Sequence, residues 1–256
     1  MSRYFRAKIT DNLTVNSKNN ILTLLPLEPV IDPKPGQFYM IQVSDSNDPF
    51  LKRPFCCLRK TPEIMQLLFT VRGRGTTLMR EFRKEQVINM IGPLGNGYPE
   101  VLIGCTPVVI AGGTGIVSLF SHIEKLGDSS HVIYGARTKD DLLMLNELDK
   151  MGIKLTVCTD DCSYGEEGMV NELFMKFLRS HESLHTSCLL YMCGPRPMLK
   201  AVAEVARDYG IKGYASLEEN MACGVGACLG CTVKTVGGYK RVCKEGPVFP
   251  IEEIIW

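Results

Sequence analysis

"VVIAGGTGIVSLF", residues 108–120, decides the fold. An apolar run, Val108 to Ala111, leads into Gly112, Gly113 and Gly115, and an amphipathic segment follows at once. A buried strand, a glycine turn and a helix in that order make the first unit of a parallel sheet. The turn also suits a dinucleotide phosphate. Glycines let the backbone approach an anion at the positive end of the next helix. Gly112, Gly113, Thr114 and Gly115 are therefore candidate nucleotide contacts. The full fingerprint is not met. Ser118 holds the third glycine position, and Gly135, Ala136 and Arg137 end the second strand where an acid for the ribose is expected. Taken alone, the motif reads equally as a tight strand-to-helix turn.

Downstream the pattern repeats. "HVIYGAR" leads into "DDLLMLNELDKM", "IKLTVCTDD" into "MVNELFMKFLRS", and "CLLYMCGP" into "PMLKAVAEVARDYG". Strand then helix, four times over, predicts a parallel doubly wound sheet over residues 100–212. Ligands of such sheets bind beyond the carboxyl ends of the strands. That places Cys193 and Gly194, at the end of the fourth strand, in the same crevice as the glycine turn. Cys193 is also readable as an inert buried thiol.

Upstream, residues 1–99 read as β. "RYFRAKIT", "NILTLLPL", "GQFYMIQVS", "RPFCCLRK", "IMQLLFTVR" and "EQVINMIGP" are candidate strands, punctuated mostly by Gly, Pro, Asn or Asp. Six short strands at this spacing predict a closed or nearly closed antiparallel barrel, with "TTLMREFR" as a short helix before the last strand. Arg53 starts one strand. "FTVRGRGTTLM" ends another in Gly73 and Gly75 and opens the helix at Thr76. An arginine beside a helix start can cradle a pyrophosphate, and a plain turn with a surface arginine is the competing reading. "GPLGNGY", residues 92–98, adds a second glycine turn.

The 256 residues are 45% hydrophobic and 22% charged, with net charge +1. That balance is ordinary for a globular protein and gives no sign of nucleic-acid binding. No apolar stretch approaches the roughly 20 residues of a membrane span, and the first residues hold no signal-peptide core. A cytoplasmic setting is the expectation. Eleven cysteines there point to ligation or burial rather than a disulfide framework.

Four of them have a spacing of their own in the tail, residues 213–256: Cys223-x4-Cys228-x2-Cys231-x11-Cys243. Three thiols in one glycine-rich loop and a distant fourth follow the plant-type ferredoxin arrangement for a 2Fe–2S cluster. The glycines let the loop wrap and leave amides free to point at sulfur. Structural zinc is the alternative, although zinc ribbons pair two short knuckles. Buried unliganded thiols are the third reading.

Together, "RPFC", "GRGT", "GPLGNGY", "AGGTGI", "DDCSYGEEG", "MCGPRPML", "SLEENMACGVGACLGC" and "VCKEGPVF" resemble the flavin reductases of the ferredoxin–NADP reductase superfamily. The resemblance is closer to the electron-transfer subunits of bacterial NAD-dependent dihydroorotate dehydrogenases, and it spans the whole chain. It implies an FAD-binding antiparallel barrel, an NAD-binding α/β domain and a small C-terminal 2Fe–2S domain. Residue by residue, it places FAD on Arg53, Pro54, Phe55 and Cys56, on Thr70, Val71 and Arg72, and on Gly75 and Thr76. The cluster takes Cys223, Cys228, Cys231 and Cys243, and Cys193 lies near the nicotinamide. Three residues depart from the family pattern. Cys56 replaces a serine that bonds the flavin, Ser118 a proline and Cys162 a glycine. The implied partner is an FMN-containing catalytic subunit, two copies of each chain assembling, with electrons running from dihydroorotate to NAD. The same machinery would serve a hydrogenase, a sulfite reductase or a ferredoxin-linked complex. A zinc-stabilised interaction module is the reading from a different class.

Overall fold

The structure is a computed structural model and describes residues 2–256. The chain divides into two units. The first holds the residues up to Gly97 together with Glu218–Val233 and Tyr239–Pro247; the second holds Tyr98–Leu217, Lys234–Gly238 and Val248–Trp256.

The first unit is built on a curled antiparallel sheet. Its strands are β1 (Arg3–Thr14), β2 (Asn19–Pro26), β3 (Phe38–Ile41), β4 (Arg53–Cys56), β5 (Arg59–Lys60), β6 (Met65–Thr70) and β7 (Val87–Leu94), in the order β4-β3-β7-β1-β2-β6-β5. Alternation fixes the inner face. Phe5, Ala7 and Ile9 of β1 are buried while Tyr4 and Arg6, which alternate with them, face solvent. The short helix α1 (Arg74–Arg80) precedes β7 and sends Met79 into the core.

The expected barrel is a half-barrel. "RPFCCLRK" forms two strands, because Cys57 and Leu58 turn inward between β4 and β5 and bury their side chains. β4 and β5 end the sheet and do not pair with one another. Side chains bridge the opening: Phe55 of β4 meets Phe69 of β6 edge-on, ring centroids 6.0 Å apart.

The second unit has five parallel strands: β8 (Thr106–Gly112), β9 (His131–Ala136), β10 (Lys154–Thr159), β11 (Cys188–Cys193) and β12 (Lys212–Ser216). Their order is β10-β9-β8-β11-β12. All six residues of β11 are buried, as for strands covered on both faces. Helices α2 (Ile116–Leu126), α3 (Leu145–Lys150), α4 (Val170–Ser180) and α5 (Arg196–Asp208) link them. A hairpin, β13 (Thr232–Thr235) with β14 (Gly238–Arg241), follows. Then β15 (Val248–Pro250) adds antiparallel to β12.

Two boundaries differ from the sequence reading. The expected start of a C-terminal domain at 213 falls inside β12, whose backbone continues the parallel sheet beside β11. The expected helix "DDLLMLNELDKM" shrinks to Leu145–Lys150. Leu142 and Leu143 are buried, Tyr134 Oη accepts the Leu143 N–H at 2.8 Å, and Met144 takes a left-handed turn.

Candidate functional site

The cysteine loop belongs to the first unit. Gly224, at φ +69°, packs against Met40 of β3 and Leu94 of β7. "GPLGNGY" anchors the other end of the cysteine segment. Asn96 N–H donates to Gly246 O at 2.6 Å and its side-chain amide to Glu245 O at 2.8 Å. This turn therefore braces the cysteine segment; nothing in the spacing foretold that pairing.

Amides converge on the sulfurs. Gly226 N–H donates to Cys243 Sγ at 3.1 Å, Val225 N–H to Cys223 Sγ at 3.4 Å and Cys243 N–H to Cys231 Sγ at 3.4 Å. Such bonds stabilise thiolate and tune a bound cluster. Burial opposes ionisation of Cys223, but amides of Cys228 and Val225 outweigh it and hold the thiol down at about 6. Burial, and then the neighbouring Cys231 thiol, push Cys243 up to about 12. Cys223 thus gives up its proton to a metal more readily than Cys243 does.

Among the described residues, no three His, Cys, Asp or Glu side chains gather closely enough to hold one ion. The thiols lie as two pairs, Cys223 with Cys228 and Cys231 with Cys243. Two pairs suit two irons, each taking two thiolates, whereas a tetrahedral zinc needs all four at one point. The donor set therefore fits a 2Fe–2S cluster. None of the eleven cysteines is in a disulfide.

The barrel motifs come together in the same unit. Arg53 to Cys56 form edge strand β4, half-buried, paired with β3 from Phe38 to Ile41. The Arg53 guanidinium lies across the start of α1: a Cβ at Gly75 would stand 2.8 Å from its Nε. Thr70 Oγ1 donates to Asn19 Oδ1 at 2.7 Å, and Val71 N–H donates to Lys18 O at 2.8 Å. Thr76 Oγ1 accepts from Arg72 N–H at 2.9 Å and donates to Gly73 O at 2.9 Å, so its hydroxyl shapes the turn. Arg72 is exposed. A half-buried arginine over a tight glycine at a helix start fits a pyrophosphate-bearing group such as FAD.

In the second unit the glycine turn falls where the strand order reverses, between β8 and β11, the place where open α/β sheets bind ligands. Gly113–Gly115 forms a short 3-10 turn that runs into α2, whose first turn carries no acid. Tyr134 Oη donates to Gly113 O at 3.1 Å and pins it. A Cβ at Gly115 would stand 2.3 Å from Cys193 O, and one at Gly194 would stand 3.0 Å from Gly112 Cα. Both glycine segments and Cys193 are thus in direct backbone contact, and Thr114 lies on the same turn.

Two departures from the family pattern have local explanations. Ser118, on α2, is buried and donates to Ser216 Oγ of β12 at 3.3 Å. Cys162 is exposed at φ +57°, the conformation for which glycine is usual.

A half-barrel of this topology and a doubly wound parallel sheet in one chain define a ferredoxin–NADP reductase-like fold. Known proteins agree. The family model "Iron-sulfur cluster binding domain of dihydroorotate dehydrogenase B" matches residues 218–255, and "Oxidoreductase NAD-binding domain" matches 109–204. A dihydroorotate dehydrogenase B (NAD(+)) electron transfer subunit from Desulforamulus reducens is 36% identical over 231 residues, 87% of each chain. The Aquifex aeolicus homolog of that subunit is 35% identical over 97% of each chain. A solved NADH-dependent reduced ferredoxin-NADP oxidoreductase superposes with TM-score 0.83 at 25% identity, covering 98% of this chain and 90% of that one. A Neisseria gonorrhoeae ferredoxin NADP+ reductase, at TM-score 0.65 and 17% identity over 86% and 95% of the two chains, shares the fold. The chain belongs to the family of dihydroorotate dehydrogenase B electron transfer subunits.

Proposed function

We propose that the chain carries electrons for a dihydroorotate dehydrogenase, from an FMN-bearing catalytic partner through a 2Fe–2S cluster and FAD to NAD, in pyrimidine biosynthesis. The observation that carries this reading is the four thiols in two pairs, three from one loop and the fourth from beyond the hairpin, with backbone amides aimed at three of the sulfurs. When bound, nicotinamide exchanges a hydride, the cluster exchanges single electrons, and flavin handles both.

The chain's residues then have separate tasks. Cys223, Cys228, Cys231 and Cys243 hold the cluster within residues 213–256. Arg53 to Cys56, Thr70 to Arg72, Gly75 and Thr76 hold FAD within residues 1–99. Gly112 to Gly115, with Cys193 and Gly194, receive NAD within residues 100–212. Hydride exchange at flavin asks no general acid or base of the protein.

The cluster loop also suits a permanent partner. Cys228 is exposed, flanked by exposed Val225 and Leu229, and Met221–Thr232 contains no charged side chain. An exposed apolar patch favours a held subunit over a transient encounter with a mobile carrier. Two copies of each subunit would assemble, in the cytoplasm. Among the described residues no helix is long and apolar enough to cross a membrane. The names of relatives at 31–36% identity favour dihydroorotate dehydrogenase over hydrogenase, sulfite reductase or ferredoxin-linked assemblies.

The test is turnover of dihydroorotate with NAD. The purified chain alone is expected to give none, and addition of a co-purified FMN subunit is expected to restore it. Turnover by the chain alone overturns the proposal.

A further inference from the structure

Strand β14 ends at Arg241, two residues before Cys243. Its Nη1 donates to Gly226 O at 2.8 Å. Its Nε donates to Glu245 Oε2 at 3.0 Å, and its Nη2 pairs with Oε1 of the same carboxylate. The Arg241 backbone N–H also reaches Glu245 Oε2, at 2.7 Å. The fork is thus fixed on both edges before it meets the loop. Gly226, held through its carbonyl, sends its N–H to Cys243 Sγ at 3.1 Å. At φ +83° it lies directly under the guanidinium: a Cβ there would stand 3.4 Å from Arg241 Nη1.

Arg241 is also electrically close to Cys231 and Cys243, while Met221–Thr232 supplies no charge of its own. A carboxylate, a guanidinium, a glycine peptide and a ligand sulfur therefore stand in line. We infer that Arg241 is a positioning residue that sets the reduction potential of the cluster. It holds an amide on the Cys243 sulfur and places a cation beside the second thiol pair, and Glu245 moderates that cation. Both effects favour the reduced, more negative state. This inference rests on the cluster reading proposed above.

The experiment is an anaerobic redox titration of the full chain carrying FAD and cluster, followed by visible absorption and electron paramagnetic resonance. Iron per chain is measured on each sample. R241Q removes the cation and leaves the Glu245 carboxylate uncompensated, so the cluster midpoint is expected to move down. E245Q leaves the cation uncompensated while the bond to Gly226 survives, so the midpoint is expected to move up. Loosening of the loop alone would move both variants the same way. Shifts in opposite directions support the inference; unchanged midpoints, or shifts of the same sign, overturn it. If R241Q does not retain iron, E245Q decides: a raised midpoint supports the inference, and an unchanged or lowered one overturns it. Iron content and spectrum of the unaltered chain test the cluster reading separately, and an iron-free chain overturns both.

Discussion

Gly224 and Met40 are in closer contact than any other residue type at 224 would allow. A Cβ at Gly224 would stand 2.4 Å from Met40 Cγ, and Met40 is the strand partner of Pro54 in the proposed flavin motif. One residue of β3 therefore lies between the cysteine loop and the edge strand "RPFC".

Gly224→Ala should separate the cysteine loop from Met40. The left-handed backbone at φ +69° costs a Cβ-bearing residue about 1–2 kcal/mol, and the overlap with Met40 adds a similar amount. The variant is expected to lose iron and to melt several degrees lower, while NADH still bleaches its flavin. Full iron content with unchanged melting would refute the packing argument.

Gly115 faces a harder neighbour, since the Cys193 carbonyl at 2.3 Å is backbone and cannot swing aside. Gly115→Ala should force β8 and β11 apart at the nucleotide crevice, at a cost of about 1–3 kcal/mol. NADH-driven flavin reduction is expected to fall more than about tenfold, by 1.4 kcal/mol per decade, with iron and FAD retained. Wild-type NADH kinetics would show that this turn does not receive the nucleotide.

His122 supplies a pH dependence. It is buried on α2, its ring 4.3 Å from that of Tyr191, and its Nε2 has no hydrogen-bond partner among the described residues. Burial, and then the charge of Lys125, hold its pKa down to about 4. As pH falls below about 6.5 the unfolded chain takes up a proton that the folded chain refuses until about 4. Stability should therefore drop across that window, by on the order of 2 kcal/mol at pH 5. His122→Phe should flatten this part of the profile, read as melting temperature at pH 7.5 and 5. Equal losses in both proteins would contradict the assignment.

Local patterns carried most of the fold. The alternation in "RYFRAKIT" and the apolar runs of β8 and β11 are set by which faces are buried, so they are visible in the residues themselves. "IVSLFSHIEKL" matches α2 residue for residue. What escaped depends on distant partners. The sequence assigns residues from 213 on to the cysteine-bearing tail, yet the β11 backbone beside Lys212–Ser216 makes that stretch a strand of the sheet. Val248–Pro250 is three residues long and becomes a strand only against β12. In "DDLLMLNELDKM" the helical spacing was present, but burial of Leu142 and Leu143 pulled its first half straight. The four cysteines proposed to hold the cluster stand out in the sequence because metal ligation imposes spacing. The Arg241–Glu245 fork was not, since an arginine and an acid four residues apart are common on any surface.

The central claim is that this chain holds a two-iron cluster beside FAD and passes electrons between them and NAD. Anaerobic purification, with iron, sulfide and flavin counted per chain and NADH then titrated under the visible beam, tests it most directly. The account predicts about two irons, two sulfides and one FAD, with NADH bleaching both chromophores. A chain that stays colourless and iron-free after reconstitution, or that binds a single zinc, would contradict it.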